Sequence, residues 1–381
     1  MPRFRRLSMA ALAVLPVLPL SASLTYLGPG HAAPGAAGSP GPVRLAAQTW
    51  DLAMTRHFGH PGNAAGFSAI LMTGGQLWAF GGTNPGGSST PIADELTGKQ
   101  WAASALPARL TDFISDASAT SKDNIWAISS YGRYVLHWDG TRWQLAHRWD
   151  EPGALSDVVA TSPRSAWVFG TAFGGARGVG TWHFDGQSWQ RAGGAASDIY
   201  RASVVSGRGI WAIAARPHTD AILRFDGRRW HQMRGGRAIA GIRWRDIVAE
   251  SARDVWLLGD AARGHLVFAH WDGVRWRRFV TPVSALAGQL TAARNGGVLA
   301  TATAPARLPA GLIVMMTSKG HVTTSAITSA LGCGVSDSVV VARTGAVWAS
   351  GGTLTKAGGN AAVWVRAVPA GDRNHDNDDI H

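Results

Sequence analysis

The chain has 381 residues, 46% of them hydrophobic, and 36 lysines and arginines against 24 aspartates and glutamates give it a net charge of +12. That length can bury a large core, while the scarcity of glutamate (Glu95, Glu151 and Glu250) beside 48 glycines and 18 tryptophans excludes a mainly helical protein and points to short strands and turns. The single cysteine, Cys333, excludes an internal disulfide, so stability must come from packing.

Residues 1–33 read as an export signal, because Arg3, Arg5 and Arg6 precede an apolar run at 9–20 and then small residues. Cleavage is expected near 30–33, with 21–23 as the alternative. The run is shorter than the roughly 20 residues of a membrane span, so a secreted protein with no stable membrane insertion after cleavage is expected. A Pro/Gly/Ala linker follows at 34–42, of a composition that does not pack. The folded body is placed at 43–370 and a disordered acidic tail at 371–381. In that tail Asp372, Asn374 and Asp376 match the first oxygen positions of a calcium loop, but Asn377 stands where glycine is needed and the sequence stops before a closing glutamate. No metal site is read from it.

Within the body a unit of about 45 residues repeats. Its first mark is a polar turn followed by an apolar residue and Trp, at Trp78, Trp126, Trp167, Trp211, Trp256 and Trp348, with Leu299 in the sixth place. Its second mark is a hairpin: LHWDGTRW, HFDGQSW, RFDGRRW and HWDGVRW carry Asp139, Asp185, Asp226 and Asp272 directly before glycine. Asp-Gly between apolar strands is a strong hairpin signal, because glycine accepts the positive φ of the turn. Joined, the two marks give four strands per unit. In the third unit these are 157–161, 166–170, 181–184 and a strand carrying Trp189.

Gly-x-x-Trp recurs through the units, and in the sixth, where Gly320 follows Lys319, Thr323 takes the Trp place. The seventh unit has a third strand at 361–368 and then runs out of body. QTWDLAM, with Trp50, resembles TRWQLAH around Trp143 and is expected to supply the missing fourth strand. Seven four-stranded antiparallel units stacked about an axis predict an all-β, seven-bladed β-propeller closed by an N-terminal strand, with the hairpin tryptophans packing between blades.

The pairing of an apolar-Trp strand with a Gly-x-x-Trp hairpin resembles tectonin-type repeats and secreted bacterial Trp-Asp-Gly propellers. It is also similar to the Asp-box (BNR-like) hairpin of sialidase-like propellers, with two departures: the Asp-box separates Asp from Gly by one residue, and the tectonin unit is somewhat shorter. The resemblance spans residues 43–368. It implies architecture and carries no catalytic residue across.

For function, a sialidase-like reaction would need a tyrosine nucleophile, a glutamate and an arginine cluster. The chain has Tyr131, Tyr134 and Tyr200 beyond the signal region and no such constellation. Its 13 histidines show no zinc spacing, so no cofactor is expected. The positive charge favours a polyanionic partner. The loops after the second strands carry Arg133, Arg177, Arg216, Arg263 and Lys356, one per blade in five blades, with His218 and His265 nearby and Tyr131 and Phe173 as stacking partners. Such a ring could grip carboxylate or phosphate groups. The reading is an exported, monomeric, non-enzymatic binding module for an acidic cell-surface or extracellular polysaccharide. A protein-interaction scaffold of the cell envelope and a glycan-active hydrolase or lyase stand as alternatives.

Overall fold

The computed structural model describes residues 50–366, apart from 57–63, 85–88, 173–177, 194–197, 206–208, 217–218, 262–263, 295, 306–309, 330–331 and 356–357. The signal, linker and tail read from the sequence lie outside the described residues.

The chain forms seven sheets, each built on four antiparallel strands in simple meander order; the seventh carries an extra two-residue strand, Thr328–Ser329. The inner strands are Ala64–Thr73, Ile114–Ser121, Ala154–Ser162, Ile199–Val205, Arg243–Ser251, Leu286–Ala293 and Gly332–Val341. Each packs against the inner strand of the next blade, and the seventh packs against the first, so the ring is closed. The strand Asp51–Arg56 pairs with Gly358–Arg366, with Leu52 opposite Trp364, and so supplies the outer strand of blade seven from the N-terminal side. The only helix among the described residues is one turn, Gly236–Ile239.

The repeated tryptophans hold the blades to one another. The outer Trp of one blade meets the inner Trp of the preceding blade edge to face: Trp143 on Trp78 at 5.7 Å, Trp189 on Trp126 at 5.7 Å, Trp230 on Trp167 at 6.0 Å and Trp276 on Trp211 at 6.2 Å. Trp101 of blade one meets Trp348 of blade seven at 6.5 Å. Such pairs add about 0.5–1.5 kcal/mol each beyond the area they bury. At the sixth-to-seventh seam, Trp50 and Leu299 share one apolar cluster, and the Trp50 indole donates to Ser325 Oγ at 2.8 Å.

The remaining seam corrects the sequence reading. The hairpin of blade six has a longer loop, and Val322, not Thr323, lies opposite Met316, where blades two to five place their outer Trp opposite the last residue of strand three. Thr323 is therefore exposed. Phe279 of blade five stacks on Trp256 at 6.0 Å, and Val322 packs on the same cluster.

The hairpins close as their composition dictates. Asp139, Asp185, Asp226 and Asp272 each accept two backbone N–H groups of their own turn through Oδ1, at 2.8–3.0 Å. The glycines that follow have φ between +91° and +99°. In three blades a histidine on strand three stacks on the inner Trp, His137 on Trp126, His183 on Trp167 and His270 on Trp256, at 4.2–4.4 Å. Burial holds His137 and His183 below the usual imidazole range, so both act as neutral packing groups.

Candidate functional site

Every inner strand breaks register near its start with a β-bulge, as between Leu155 and Asp157 or Trp244 and Asp246. A bulge re-aims the side chains beside it. Here it brings Asp116, Asp157, Arg201 and Asp246, one from each of blades two to five, around a cavity of about 210 Å³ that Ser118, Ser203 and Gln289 also line. The sequence reading missed this quartet. Its signal was a charged residue at one place in the repeat, in FISDAS, ALSDVV, IYRAS and WRDIV, obscured because one of the four is an arginine.

The carboxylates reach forward to the next blade. Asp116 Oδ2 accepts Val158 N–H at 3.2 Å, Asp157 Oδ2 accepts Ala202 N–H at 2.8 Å, and Asp246 Oδ2 accepts Leu290 N–H at 2.5 Å. Ser118 and Ser203 accept Ala160 N–H and Ala249 N–H in the same way. Arg201 donates to the carbonyls of Ser156 at 2.7 Å and Tyr200 at 3.1 Å, with its Nε 3.8 Å from Asp246. Burial pulls the guanidinium down, but Asp157, Asp246 and Asp116 together outweigh it and keep it charged. Asp116 and Asp157 are within hydrogen-bonding reach of each other, and burial raises both, Asp157 well above the usual range. A carboxyl pair of this kind can exchange a proton, yet its outward oxygens are spent on the backbone that joins the blades. Among the described residues no group of three His, Cys, Asp or Glu side chains is placed to hold a metal ion.

This arrangement has a pH consequence. Burial pushes Asp246 and Asp94 up to about 6, against Arg201 and Arg56 respectively, and pushes Asp337 up to about 7 although its side chain still reaches solvent. Fully buried Asp246 and Asp94 carry more of the effect than Asp337. A carboxyl with a raised folded-state pKa binds its proton more tightly when folded. Its stabilising contribution is present at low pH and is lost as pH rises from the ordinary 3.8 through the folded value. The hairpin carboxylates Asp139 and Asp226 are held down by hydrogen bonds from their own turns, so their contribution is lost on acidification below the ordinary value. The melting temperature is therefore expected to peak near about pH 5 and to fall by about pH 8. A series of thermal melts from acid to mild base checks this, and a flat profile above pH 5 would contradict it.

The loops after the second strands place the residues singled out in the sequence as follows. Tyr131 and Arg133 share the loop of blade two, Arg216 lies in that of blade four, and His265 opens strand three of blade five. Arg177, His218, Arg263, Lys356 and Phe173 lie outside the described residues. Tyr131 is 44% exposed. Arg133 is half-buried and spends Nε on the Trp149 carbonyl and one terminal nitrogen on that of Tyr131, both at 3.3 Å. Arg216 donates to the Ala215 carbonyl at 2.8 Å. Carboxylates accompany them on this face: Asp112, Asp150, Glu151, Asp198, Asp220 and Asp260 stand among the described loop residues and strand ends beside Arg56, Arg109, Arg133, Arg148, Arg216, Arg234, Arg237, Arg243 and Arg245.

The opposite face differs. The turns from first to second strands carry Lys122, Arg164, Arg253, Arg294 and Arg343, and the hairpins from third to fourth strands carry Lys99, Arg142, Arg228, Arg229, Arg275 and Lys319, all exposed. Six aspartates share those turns, and four of them are the hairpin residues already engaged by backbone N–H groups. Turn and hairpin pack side by side within a blade, since a Cβ at Gly273 would lie 2.9 Å from the Arg253 side chain and one at Gly186 3.1 Å from that of Arg164.

No family model matches the chain, and no curated protein sequence does. Solved structures with similar folds include YCF48 bound to a D1 peptide, at 14% identity and a TM-score of 0.56 over 85% of this chain and 98% of that one. Virginiamycin B lyase from Staphylococcus aureus, with quinupristin, is similar at 9% identity and 0.53 over 83% and 99%. The WD40 propeller domain of Doa1 is similar at 12% identity and 0.52 over 83% and 96%. At these identities the likeness is one of fold, and the chain is an all-β, seven-bladed propeller.

Proposed function

We propose that the chain is an exported, non-enzymatic binding module that holds an acidic polysaccharide of a cell surface by electrostatic contact. The observation that carries this reading is the disposition of charge. The described carboxylates at the channel accept backbone N–H groups of the next blade, while the exposed turns carry an excess of arginine and lysine. Arginine suits such a partner because its planar fork pairs with carboxylate, sulfate and phosphate oxygens. The resemblance to tectonin-type and Asp-box propellers supports a structural use of the repeated motifs.

A second reading, a protein-interaction scaffold, is favoured by one comparison, since a propeller of similar fold has been solved with a peptide bound. A glycan array read at two salt concentrations separates the readings. Salt-sensitive retention of acidic glycans with no released product supports the module. Silence on every glycan turns the assignment to the scaffold, and product release turns it to an enzyme.

A further inference from the structure

We infer that the hairpin face, and not the channel-mouth face, is the surface that takes the polysaccharide. This inference rests on the reading above and gives it a place. Three observations converge on it. First, the described turns of the hairpin face carry eleven exposed cations against six carboxylates, at least one cation on every blade, whereas the described part of the channel-mouth face has nine cations to six carboxylates and the channel itself holds three aspartates to one arginine. A chain of anions approaching the channel mouth meets carboxylates at its centre. One approaching the hairpin face meets cations on every blade.

Second, the hairpin arginines are loosely held, although Lys122 of the same face pairs with Asp123 at 2.8 Å. The Arg142 and Arg275 side chains are 75% and 69% exposed, and their nearest carboxylates, Asp139 and Asp272, stand 3.8 Å away and already accept two N–H groups each. Exposed pairs at that range contribute little, so exchanging them for a ligand anion costs little. On the other face Arg133 is tied to two carbonyls, and Arg245 pairs with Asp260 at 2.6 Å.

Third, the spacing is set by rigid elements. Each cation sits on a tight turn between paired strands, and the aspartate turns and glycines described above fix those turns. Blade five is richest, with Arg275 on its hairpin, Arg253 on the adjoining turn and Arg277 at the start of its fourth strand, and its hairpin also carries Val274, which is 83% exposed. Val274 is the only large exposed hydrophobic residue in these described turns. That is enough to pack on the face of one sugar ring and too little to enter a bilayer, where stable attachment takes more than one signal. The partner is therefore a linear acidic polysaccharide, not a lipid surface.

The test uses two variants of equal charge. One replaces Arg142, Arg229, Arg275 and Lys319 by serine on the hairpin face, and the other replaces Arg133, Arg216, Arg234 and Arg237 by serine on the channel-mouth face. The probes are heparin, polygalacturonate and vesicles containing phosphatidylglycerol, with a melting curve for each protein. The first variant is expected to lose at least about tenfold in affinity for the polymers and a large part of the salt slope, which scales with the number of charge contacts, while the second changes by less than about twofold. Equal losses in the two variants, or an undiminished hairpin variant that melts like the wild type, overturn the placement while leaving the binding module intact. Tighter retention on vesicles than on either polymer overturns the choice of partner. Silence of the wild type on all three probes overturns the binding reading itself, and the placement with it.

Discussion

Deletion of residues 34–56 is expected to open the ring, giving aggregation or a collapse of the melting temperature. The strand Asp51–Arg56 covers the edge of Gly358–Arg366, and an uncovered edge of that length is a template for pairing with another chain. The deletion also removes Trp50, which is 6% exposed, belongs to the cluster of Leu299 and Trp364, and bonds Ser325 of blade six. It removes the ion pair of Arg56 with buried Asp94, 2.9 Å long, which ties blade seven to strand three of blade one. Trp50 alone, replaced by alanine, is expected to cost about 3–5 kcal/mol, a large fraction of the 5–15 kcal/mol that typically holds a domain folded. Calorimetry and light scattering on the shortened chain check this. A melting temperature equal to that of the full chain would show that the seventh blade is complete without the N-terminal strand.

The second large effect concerns the inner tryptophans. Trp256 is 1% exposed and stacks with His270 and with Phe279, and Trp167 is 7% exposed in edge contact with Trp230. Truncation of either to alanine is expected to cost about 3–5 kcal/mol, through lost transfer free energy and an unfilled void between blades. Leucine at the same place should cost much less, because Leu299 holds the equivalent position of blade six, 3% exposed, within a packed cluster. Chemical denaturation of the four variants measures the difference. Equal losses for alanine and leucine would mean that the indoles act through their edge contacts and not through the volume they fill.

Those same tryptophans explain why so much of the fold was legible. A repeat makes one local signal speak seven times, and the Asp-Gly pair states its own turn geometry, so strand three of the third unit, Thr181–Phe184, could be placed to the residue. The Trp50 strand was legible because its residues copy those of another blade. Two features were less accessible. The Val322 register depends on one extra loop residue in blade six, which a motif count absorbs by sliding to Thr323. The inner strands run longer than their apolar cores suggested, Ala154–Ser162 against 157–161, because each continues through a bulge whose polar residues look like loop.

The candidate site was read less well for a physical reason. Sequence shows that a loop carries arginine, but not what lies across from it in space. Arg133 was legible as a loop cation, yet its partners are the backbone carbonyls of Trp149 and Tyr131. Conversely, Arg142, Arg229 and Arg275 look like incidental residues of structural hairpins until the fold sets hairpin and turn side by side, as with Gly273 against Arg253 in blade five. The Asp116, Asp157, Arg201 and Asp246 quartet needed the bulges and the closed ring together before it became a cluster.

The measurement that bears most directly on the whole account is the affinity of the intact protein for heparin across a salt series, from about 50 mM to about 200 mM, with the polymer recovered afterwards and sized. The account predicts a steep linear fall of log affinity with log salt and a polymer of unchanged length. An affinity indifferent to salt, or a shortened polymer, would contradict it.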